Sequence, residues 1–306
     1  MEANQETPDK PQSSGTKGSD WYDKWYKTLL VIPIIVMILS LGYLAYFYSV
    51  NHDFVLKDTS LSGGTTVTLQ GNLASEELES SLKSNFSDIS IRRLTDITTG
   101  KIKSIIIETS ASPDEIKSAI ENFLGYKLSD ENLTIEFTGS SLSKSFYNQL
   151  IMALIISFVL MSITIFIIFR TFIPSIAVIF AVLGDIIIPL AIINFFGMRV
   201  SAAGIAAFLM LIGYSVDTDI LLTTRALKTK GGTLNNRIYR AFKTGTFITM
   251  TALIAVIPSF LVMSGLPDSF RQIFIILSIG LCADVFNTWL TNASLIKWYC
   301  VNRGIE

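Results

Sequence analysis

The 306-residue sequence is short of charge, histidine and cysteine, and each shortage excludes a class of function. Charged residues make up 16% of the chain, whereas soluble proteins usually carry about 25%, so the composition points to a lipid environment. The single histidine excludes a multi-histidine metal cluster. The two cysteines, Cys282 in an apolar run and Cys300 after it, suggest neither a disulfide nor a metal site. The sequence contains no basic stripe with interleaved aromatics, so nucleic acid is not an expected partner. We also expect no cofactor.

Long apolar runs are what the sequence has in abundance. A run of about 20 apolar residues spans the ~30 Å hydrocarbon core as a helix, and the chain contains six such runs. We predict transmembrane helices at 27–50, 147–169, 172–196, 200–222, 244–263 and 273–296, the last five within a region at 146–300. The first run is too long for a signal-peptide core and is retained. Residues 1–20 are polar and without apolar periodicity, which predicts a disordered cytoplasmic tail.

Between the first two predicted helices, residues 51–145 have the composition of a soluble domain. Runs that alternate with period 2 indicate strands and runs with period near 3.6 indicate helices, and they follow one another in the order βαββαβ. That order is typical of a ferredoxin-like α+β sandwich. The predicted fold is therefore a polytopic α-helical membrane protein with six transmembrane helices and one ferredoxin-like domain between helices 1 and 2.

Positive charge is unevenly distributed between the predicted loops. The loop at 223–243 contains six basic residues and no acidic ones. Because cytoplasmic loops carry an excess of Lys and Arg, we predict that this loop and both termini are cytoplasmic. Residues 51–145 are then extracytoplasmic, in a multi-pass protein of the cell membrane.

Charged residues inside the predicted helices are few, and they are the candidate functional residues. An acid at the bilayer centre costs at least ~2.5–3.5 kcal/mol on insertion scales, so such residues are usually functional. At 100° per residue, Asp217 and Asp219 point to nearly opposite sides of the fourth helix. The candidates for a proton or ion relay are Asp185, Asp217, Asp219 and Asp284 within helices, with Arg240 and Lys243 at the start of the fifth helix.

Three interpretations of these residues remain open. In the first, the acids only hold helices together, although interhelical polar contacts contribute about 0.6 kcal/mol on average. In the second, they bind and release protons or another small cation as the bundle changes shape. In the third, Asp185 and one acid of the fourth helix form the dyad of an intramembrane aspartyl protease. Asp185 follows Val182-Leu-Gly184 rather than Gly-x-Gly, and no Pro-Ala-Leu element is present, so we expect no catalytic residues.

Several short motifs match signatures of one membrane-protein family. The stretch Ser60-Leu-Ser-Gly63-Gly64-Thr65 resembles Asp-Phe/Leu-x-Gly-Gly-Thr, and Leu183-Gly-Asp185-Ile resembles the third-helix Leu-His-Asp-Val. The fourth helix carries Ile212-Gly-Tyr-Ser-Val-Asp217-Thr-Asp219, ending in Arg225, and the fifth and sixth carry Lys243-Thr-Gly-Thr and Gly280-Leu-Cys-Ala-Asp284. Together they resemble the archaeal SecF branch of the SecD/SecF family, within the resistance-nodulation-division superfamily. Ser60 and Gly184 replace the signature Asp and His, and the bacterial fourth-helix acid aligns with Thr218.

The resemblance implies an accessory subunit of the Sec protein-export machinery that promotes late steps of translocation. Its implied partners are SecD, a SecY-type translocon, unfolded translocating polypeptide and the lipid bilayer. The resemblance also implies coupling to the proton motive force through the intramembrane acids, for which we favour Asp217 over Asp219. It further implies a functional turn at Ser60, Gly63, Gly64 and Thr65. The alternative is a scaffold for translocase assembly that transports nothing.

Overall fold

The computed structural model describes residues 17–70, 76–86, 88–95, 102–128, 133–229, 231–262 and 268–305. Most of the predicted tail at 1–20 lies outside these ranges. In chain order the elements are α1 (Lys17–Asn51), β1 (Leu56–Lys57), α2 (Thr59–Ser62), β2 (Gly64–Gln70), α3 (Glu76–Asn85), β3 (Ser90–Thr95), β4 (Ile102–Thr109), α4 (Pro113–Leu124), β5 (Leu133–Thr138), α5 (Ser140–Phe169), α6 (Phe172–Phe195), β6 (Arg199–Val200), α7 (Ala202–Lys228), α8 (Leu234–Val262), α9 (Asp268–Phe286), a π-helical segment (Asn287–Asn292) and α10 (Ala293–Asn302).

Six helices among the described residues are long and apolar enough to cross a membrane, as the sequence predicts. They are α1, α5, α6, α7, α8 and the continuous helix that runs from α9 through the π-helical segment into α10. The helices extend past several of the predicted boundaries, and α1 begins at Lys17 rather than 27. Helix α8 begins at Leu234 rather than 244, and α5 begins at Ser140 rather than 147. Hydropathy locates apolar residues, whereas a hydrogen-bonded helix continues into the polar residues that flank them.

The segment between α1 and α5 folds into an α+β domain. Its four main strands form an antiparallel sheet in the order β3-β4-β2-β5. Val67 of β2 faces Ile107 of β4, and both pack with Ile116 and Ile120 of α4 in a buried apolar core. Helix α4 begins with a capping box at Ser112 and ends at Gly125 in the left-handed conformation. The main elements follow one another in the order βαββαβ, preceded by β1 and α2.

The α+β domain is joined to the helix ends on one side of the bundle, which we call the domain side. Strand β1 pairs in parallel with β6, which links α6 to α7. The Asn194 amide donates to the Phe54 carbonyl at 2.7 Å. Glu108 of β4 is almost fully buried and pairs with Arg92 of the domain and with Arg199 of β6. The α+β domain therefore has specific polar contacts with the ends of the membrane helices.

The membrane helices pack closely around α7, which contacts α5, α6, α8 and α9. Two glycines allow the closest approaches. A Cβ on Gly280 of α9 would collide with the Leu211 side chain of α7, and a Cβ on Gly245 of α8 would collide with Trp289. Small residues at such crossings let membrane helices pack backbone to backbone. This packing brings the polar side chains of α6, α7, α8 and α9 together inside the bundle.

Candidate functional site

Asp185 of α6 is fully buried between α7 and the sixth span. Its two carboxylate oxygens accept hydrogen bonds from the Ser215 hydroxyl and, at 2.6 Å, from the Asn287 amide. Gly184 makes room for this arrangement, because a Cβ at that position would collide with the Asn287 side chain. The glycine that replaces the signature histidine is thus matched by an asparagine on a facing helix.

Asp284 of α9 is buried next to this pair and accepts hydrogen bonds from three threonines. Thr218 of α7 donates at 3.1 Å, Thr288 of the π-helical segment at 3.2 Å, and Thr249 of α8 at 3.4 Å. Thr218 therefore lies in contact with an acid, at the position where the bacterial signature has one. The hydroxyl groups join α7, α8 and the sixth span around a single carboxyl group.

Asp219 of α7 is the third buried acid. The Asn292 amide donates to its Oδ1 at 2.7 Å. Its Oδ2 is buried and, among the described residues, has no hydrogen-bond partner. A buried acceptor without a partner is costly. The Oδ2 atom is therefore a position at which a proton can bind.

The π-helical segment is what presents two asparagines to this region. Asn287 bonds to Asp185 and Asn292 to Asp219, although the two asparagines are five residues apart. In an α-helix, five residues correspond to about 140° of rotation, so the two amides would face different directions. The wider π turn brings both to the same side, and π segments in membrane and soluble helices often mark functional sites. This segment, with Thr218 and Thr249, was not among the predicted site residues. The polar run within an apolar helix was the available signal.

We call Asp185, Asp219 and Asp284 the buried carboxyl cluster. Within the described ranges, none of the three forms an ion pair with Lys or Arg. The same part of the chain contains no group of three or more His, Cys, Asp or Glu residues suited to a metal ion. Burying an unpaired ionised carboxylate costs several kcal/mol. Holding a proton removes this cost, so proton binding is chemistry open to the cluster.

The other predicted relay residues lie on the outside of the bundle. Asp217 is exposed on the face of α7 opposite Asp219, and Arg240 and Lys243 are exposed on α8. The main-chain carbonyl of Arg240 accepts from the Arg225 guanidinium at 2.8 Å. Among the described residues, neither Arg240 nor Lys243 forms an ion pair with an acid. The predicted six-residue relay is therefore not one contact network. Three of its members meet inside the bundle, and the favoured residue Asp217 is not among them.

The predicted signature turn lies where the α+β domain meets the bundle. Gly63 and Gly64 have φ angles of 84° and 128°, which favour glycine, and a Cβ at either would collide with neighbouring backbone. The Thr65 hydroxyl donates to the Ala111 carbonyl at 2.5 Å. The Ser60 hydroxyl donates to Asp58 at 2.6 Å and accepts from the Ala202 N–H at 3.0 Å. This turn therefore connects the domain directly to the first residue of α7.

Asp58 is a residue of this junction that the sequence reasoning missed. It caps α2 by accepting from the Ser60 N–H at 2.9 Å. Burial raises its pKa from 3.8 to about 6, and the nearby Glu108 adds to this effect, while hydrogen bonds from Ser60 and the charge of Arg92 oppose it. The family signature has an acid at the position of Ser60, and this sequence has one two residues earlier. That nearby acid was the available signal.

Comparison with known proteins identifies the family. The family model described as "Protein export membrane protein SecD/SecF, C-terminal" matches residues 119–302. The chain belongs to the SecD/SecF family. Relatives named protein-export membrane protein SecF include those of Methanolacinia petrolearia, 35% identical over 91% of this chain and 95% of the relative, and Methanothermobacter thermautotrophicus, 36% identical over 92% and 95%. The resemblance predicted from the motifs is confirmed, and with six apolar helices this SecD/SecF family member is a multi-pass membrane protein.

Two solved structures share the fold. One is SecDF, a translocon-associated membrane protein from Thermus thermophilus, with a TM-score of 0.71 at 16% identity over 91% of this chain. The other is SecDF in its super-membrane-facing form, with a TM-score of 0.56 at 17% identity. The present chain covers 38% and 39% of those two chains. A SecD/SecF family member of this size therefore corresponds to less than half of either SecDF protein.

Proposed function

We propose that this chain is a non-enzymatic accessory subunit of the Sec protein-export machinery, that it acts with a SecD-type partner, and that proton movement through the buried carboxyl cluster drives it. The observation that carries the proposal is the cluster itself. Three carboxyl groups from α6, α7 and the sixth span lie together at membrane depth without a basic partner among the described residues. Intramembrane acids in such surroundings characterise proton relays.

Protonation changes what each carboxyl group contributes to the helix contacts. An ionised carboxylate only accepts hydrogen bonds, whereas a protonated carboxyl group also donates one. Asp219 is the best placed to respond, because its Oδ2 is buried without a partner in the described part of the chain. Asp185 and Asp284 are each bonded to more than one helix. Loss or gain of a proton would therefore shift α7 relative to α6 and the sixth span.

The junction at Ser60 would carry such a shift to the α+β domain, since its hydroxyl accepts from the first N–H of α7. We propose that this domain is ferredoxin-like and extracytoplasmic, where it would hold polypeptide emerging from a SecY-type translocon. The sheet order β3-β4-β2-β5 supports the fold assignment. The six basic residues of the loop at 223–243 support a cytoplasmic position for that loop and for both termini.

The exposed face of α7 supports a partner in the membrane. Met210, Gly213, Tyr214 and Asp217 form one exposed stripe along this helix. A carboxylate that faces lipid costs several kcal/mol, so a second protein that covers Asp217 would stabilise this face. The solved SecDF chains are more than twice as long as the part that matches this chain, and we propose that a SecD-type protein supplies the corresponding second half.

An assembly scaffold is the second candidate function. It is favoured by the observation that each buried acid accepts a hydrogen bond from a helix other than its own. In that case the cluster would only fix the positions of the helices. Asp219 separates the two proposals, because an unpaired oxygen contributes nothing to a static network and is required for proton exchange.

The test is to replace Asp219 by Asn in the full chain and to measure partner assembly and polypeptide export in membrane vesicles. Asp114→Asn, an exposed acid at the start of α4, is the matched control. A proton relay predicts normal assembly and the loss of gradient-stimulated export, because the variant side chain cannot bind and release a proton. Unchanged export with normal assembly would refute the relay. Failed assembly would support the scaffold, and Asp284→Asn then serves as the second variant.

A further inference from the structure

We propose that a cleft on the domain side of the bundle binds the phosphate headgroup of a membrane lipid. The cleft has a volume of about 490 Å³ and opens between α2, the end of β1 and the first turns of α5. The polar residues that line it are Lys57, Ser62, Ser140, Ser141, Lys144, Tyr147 and Asn148. This proposal does not depend on proton coupling and concerns a different part of the molecule.

The lining of the cleft matches the chemistry of a phosphate group. It contains two lysines, three serine hydroxyls, a tyrosine and an amide, and no acidic side chain. Lys57 is already in contact with Asp53, 2.5 Å away, and lies 4.3 Å from the ring centroid of Tyr147. Lys144 is exposed, and within the described ranges it forms no ion pair. One positive charge therefore remains available in the cleft for a phosphate.

The backbone of α5 adds to this chemistry. The helix is 30 residues long and begins at Ser140, so its first N–H groups have no carbonyl partner within the helix. These groups and the helix dipole favour an anion at this end. Ser140, Ser141 and Lys144 lie on these first turns, and Lys57 reaches the cleft from β1.

The depth of the cleft places it at the lipid headgroups. Helix α5 ends at Phe169, where a two-residue turn leads into α6, and we assign this turn to the opposite membrane boundary. Lys144 lies about 37 Å from Phe169 along the helix at 1.5 Å per residue. The hydrocarbon core is ~30 Å thick, with a headgroup layer of ~5–7 Å on each side. The Lys144 ammonium is thus at the level of the phosphates on the domain side.

A lipid, rather than free phosphate, is favoured by the surface below the cleft. On α5, Lys144 and Asn148 are followed at helical spacing by Met152, Ile155 and Val159, since residues three and four apart share a face. All three apolar side chains are exposed, by 57%, 53% and 49%. A headgroup bound at Lys144 would therefore have its hydrocarbon chains lying along this apolar stripe.

The experiment is native mass spectrometry of the full chain, released from micelles of neutral detergent doped with phosphatidylglycerol. We expect wild type to retain one lipid and Lys144→Gln to reduce that occupancy about tenfold, as for loss of a charge-assisted hydrogen bond. Lys144→Arg should restore binding. Lys127→Gln, an exposed lysine of the α+β domain, is the matched control and should bind as wild type does.

Competition with inorganic phosphate separates the two sources of the same chemistry. Phosphate at the concentration of the doped lipid should leave the retained lipid unchanged, because only the lipid also contacts Met152 and Ile155. Displacement of the lipid by phosphate would overturn the assignment in favour of a soluble anion. Equal lipid retention by wild type and Lys144→Gln would overturn the site itself. Lys144 is exposed, so an unchanged melting temperature should show that the variant is folded.

Discussion

Replacing Asp58 by Asn should stabilise the junction between the α+β domain and the membrane helices at neutral pH. Asp58 is only 6% exposed, although it lies outside the membrane spans. Its carboxylate accepts a hydrogen bond from the Ser60 hydroxyl, and that hydroxyl accepts one from the Ala202 N–H of α7. The ionisation state of one carboxyl group thus acts on a contact that joins the two parts of the chain.

The magnitude follows from the pKa of Asp58. Burial raises this pKa from 3.8 to about 6, so between these two values the folded junction binds a proton that the opened junction does not. The stabilisation from that proton is complete below pH 3.8 and is lost as the pH rises through 6. At 1.36 kcal/mol per pKa unit, the wild-type junction at pH 7.5 is destabilised by about 3 kcal/mol relative to low pH.

Asn at position 58 removes this cost and keeps the contacts. Its side-chain oxygen can still accept from the Ser60 N–H, and Asn caps helices about as well as Asp. We therefore expect the junction of the variant to be more stable than wild type by about 3 kcal/mol at pH 7.5 and by about 1.5 kcal/mol at pH 5. Those differences correspond to a population of the open junction that is roughly 150-fold and tenfold lower.

Hydrogen–deuterium exchange of peptides that cover α2 and β2 measures this opening in the full chain, after correction for the intrinsic pH dependence of exchange. Asp88→Asn is the control of opposite sign. Asp88 accepts from the Ser110 N–H at 2.7 Å, and hydrogen bonds from Ser110 hold its pKa below the usual range. That variant should lose protection at neutral pH. Wild-type opening that is independent of pH between 4 and 7.5 would refute the reasoning about Asp58.

Two further predictions concern packing. Glu108→Gln breaks the ion pairs to Arg92 and Arg199 at once, and because both arginines are 32% exposed, we expect a loss of only about 1–2 kcal/mol, measured as faster proteolysis between the α+β domain and the bundle. Gly280→Ala should lower thermal stability by about 1–3 kcal/mol through overpacking against Leu211, and adding Leu211→Ala should recover part of that loss. If the effects of Gly280→Ala and Leu211→Ala on stability were strictly additive, the predicted collision between these two positions would be contradicted.

The sequence was sufficient to predict the six spans and the order of the elements, because both depend on local patterns. A span requires only a run of apolar residues of the right length. The order βαββαβ requires only the change between periods of 2 and 3.6. Neither pattern shows the residue at which a helix begins or ends. Helix α8 therefore begins ten residues earlier than predicted, and Lys243 lies well inside that helix, on its exposed side.

The composition of the buried carboxyl cluster depends on tertiary packing, which the sequence does not encode locally. Helical geometry separates the directions of Asp217 and Asp219 but does not say which direction is inward. Asp284 gains its partners from three different helices. The π-helical segment also changes the direction of every residue around it. A regular helix drawn from the sequence would turn Asn292 away from Asp219.

Helix α7 carries acids on two opposite faces, so both acids can contribute to function in different ways. Asp219 faces the interior, where Asn292 holds one of its oxygens, and Asp217 faces outward beside Gly213. Because a helix moves as a rigid element, a shift driven from the inner face necessarily moves the outer one. If a SecD-type partner covers Asp217, proton exchange at Asp219 would alter that interface without any proton reaching it. The two acids would then differ in kind: substitution of Asp217 should weaken assembly, and substitution of Asp219 should leave assembly intact and stop coupled export.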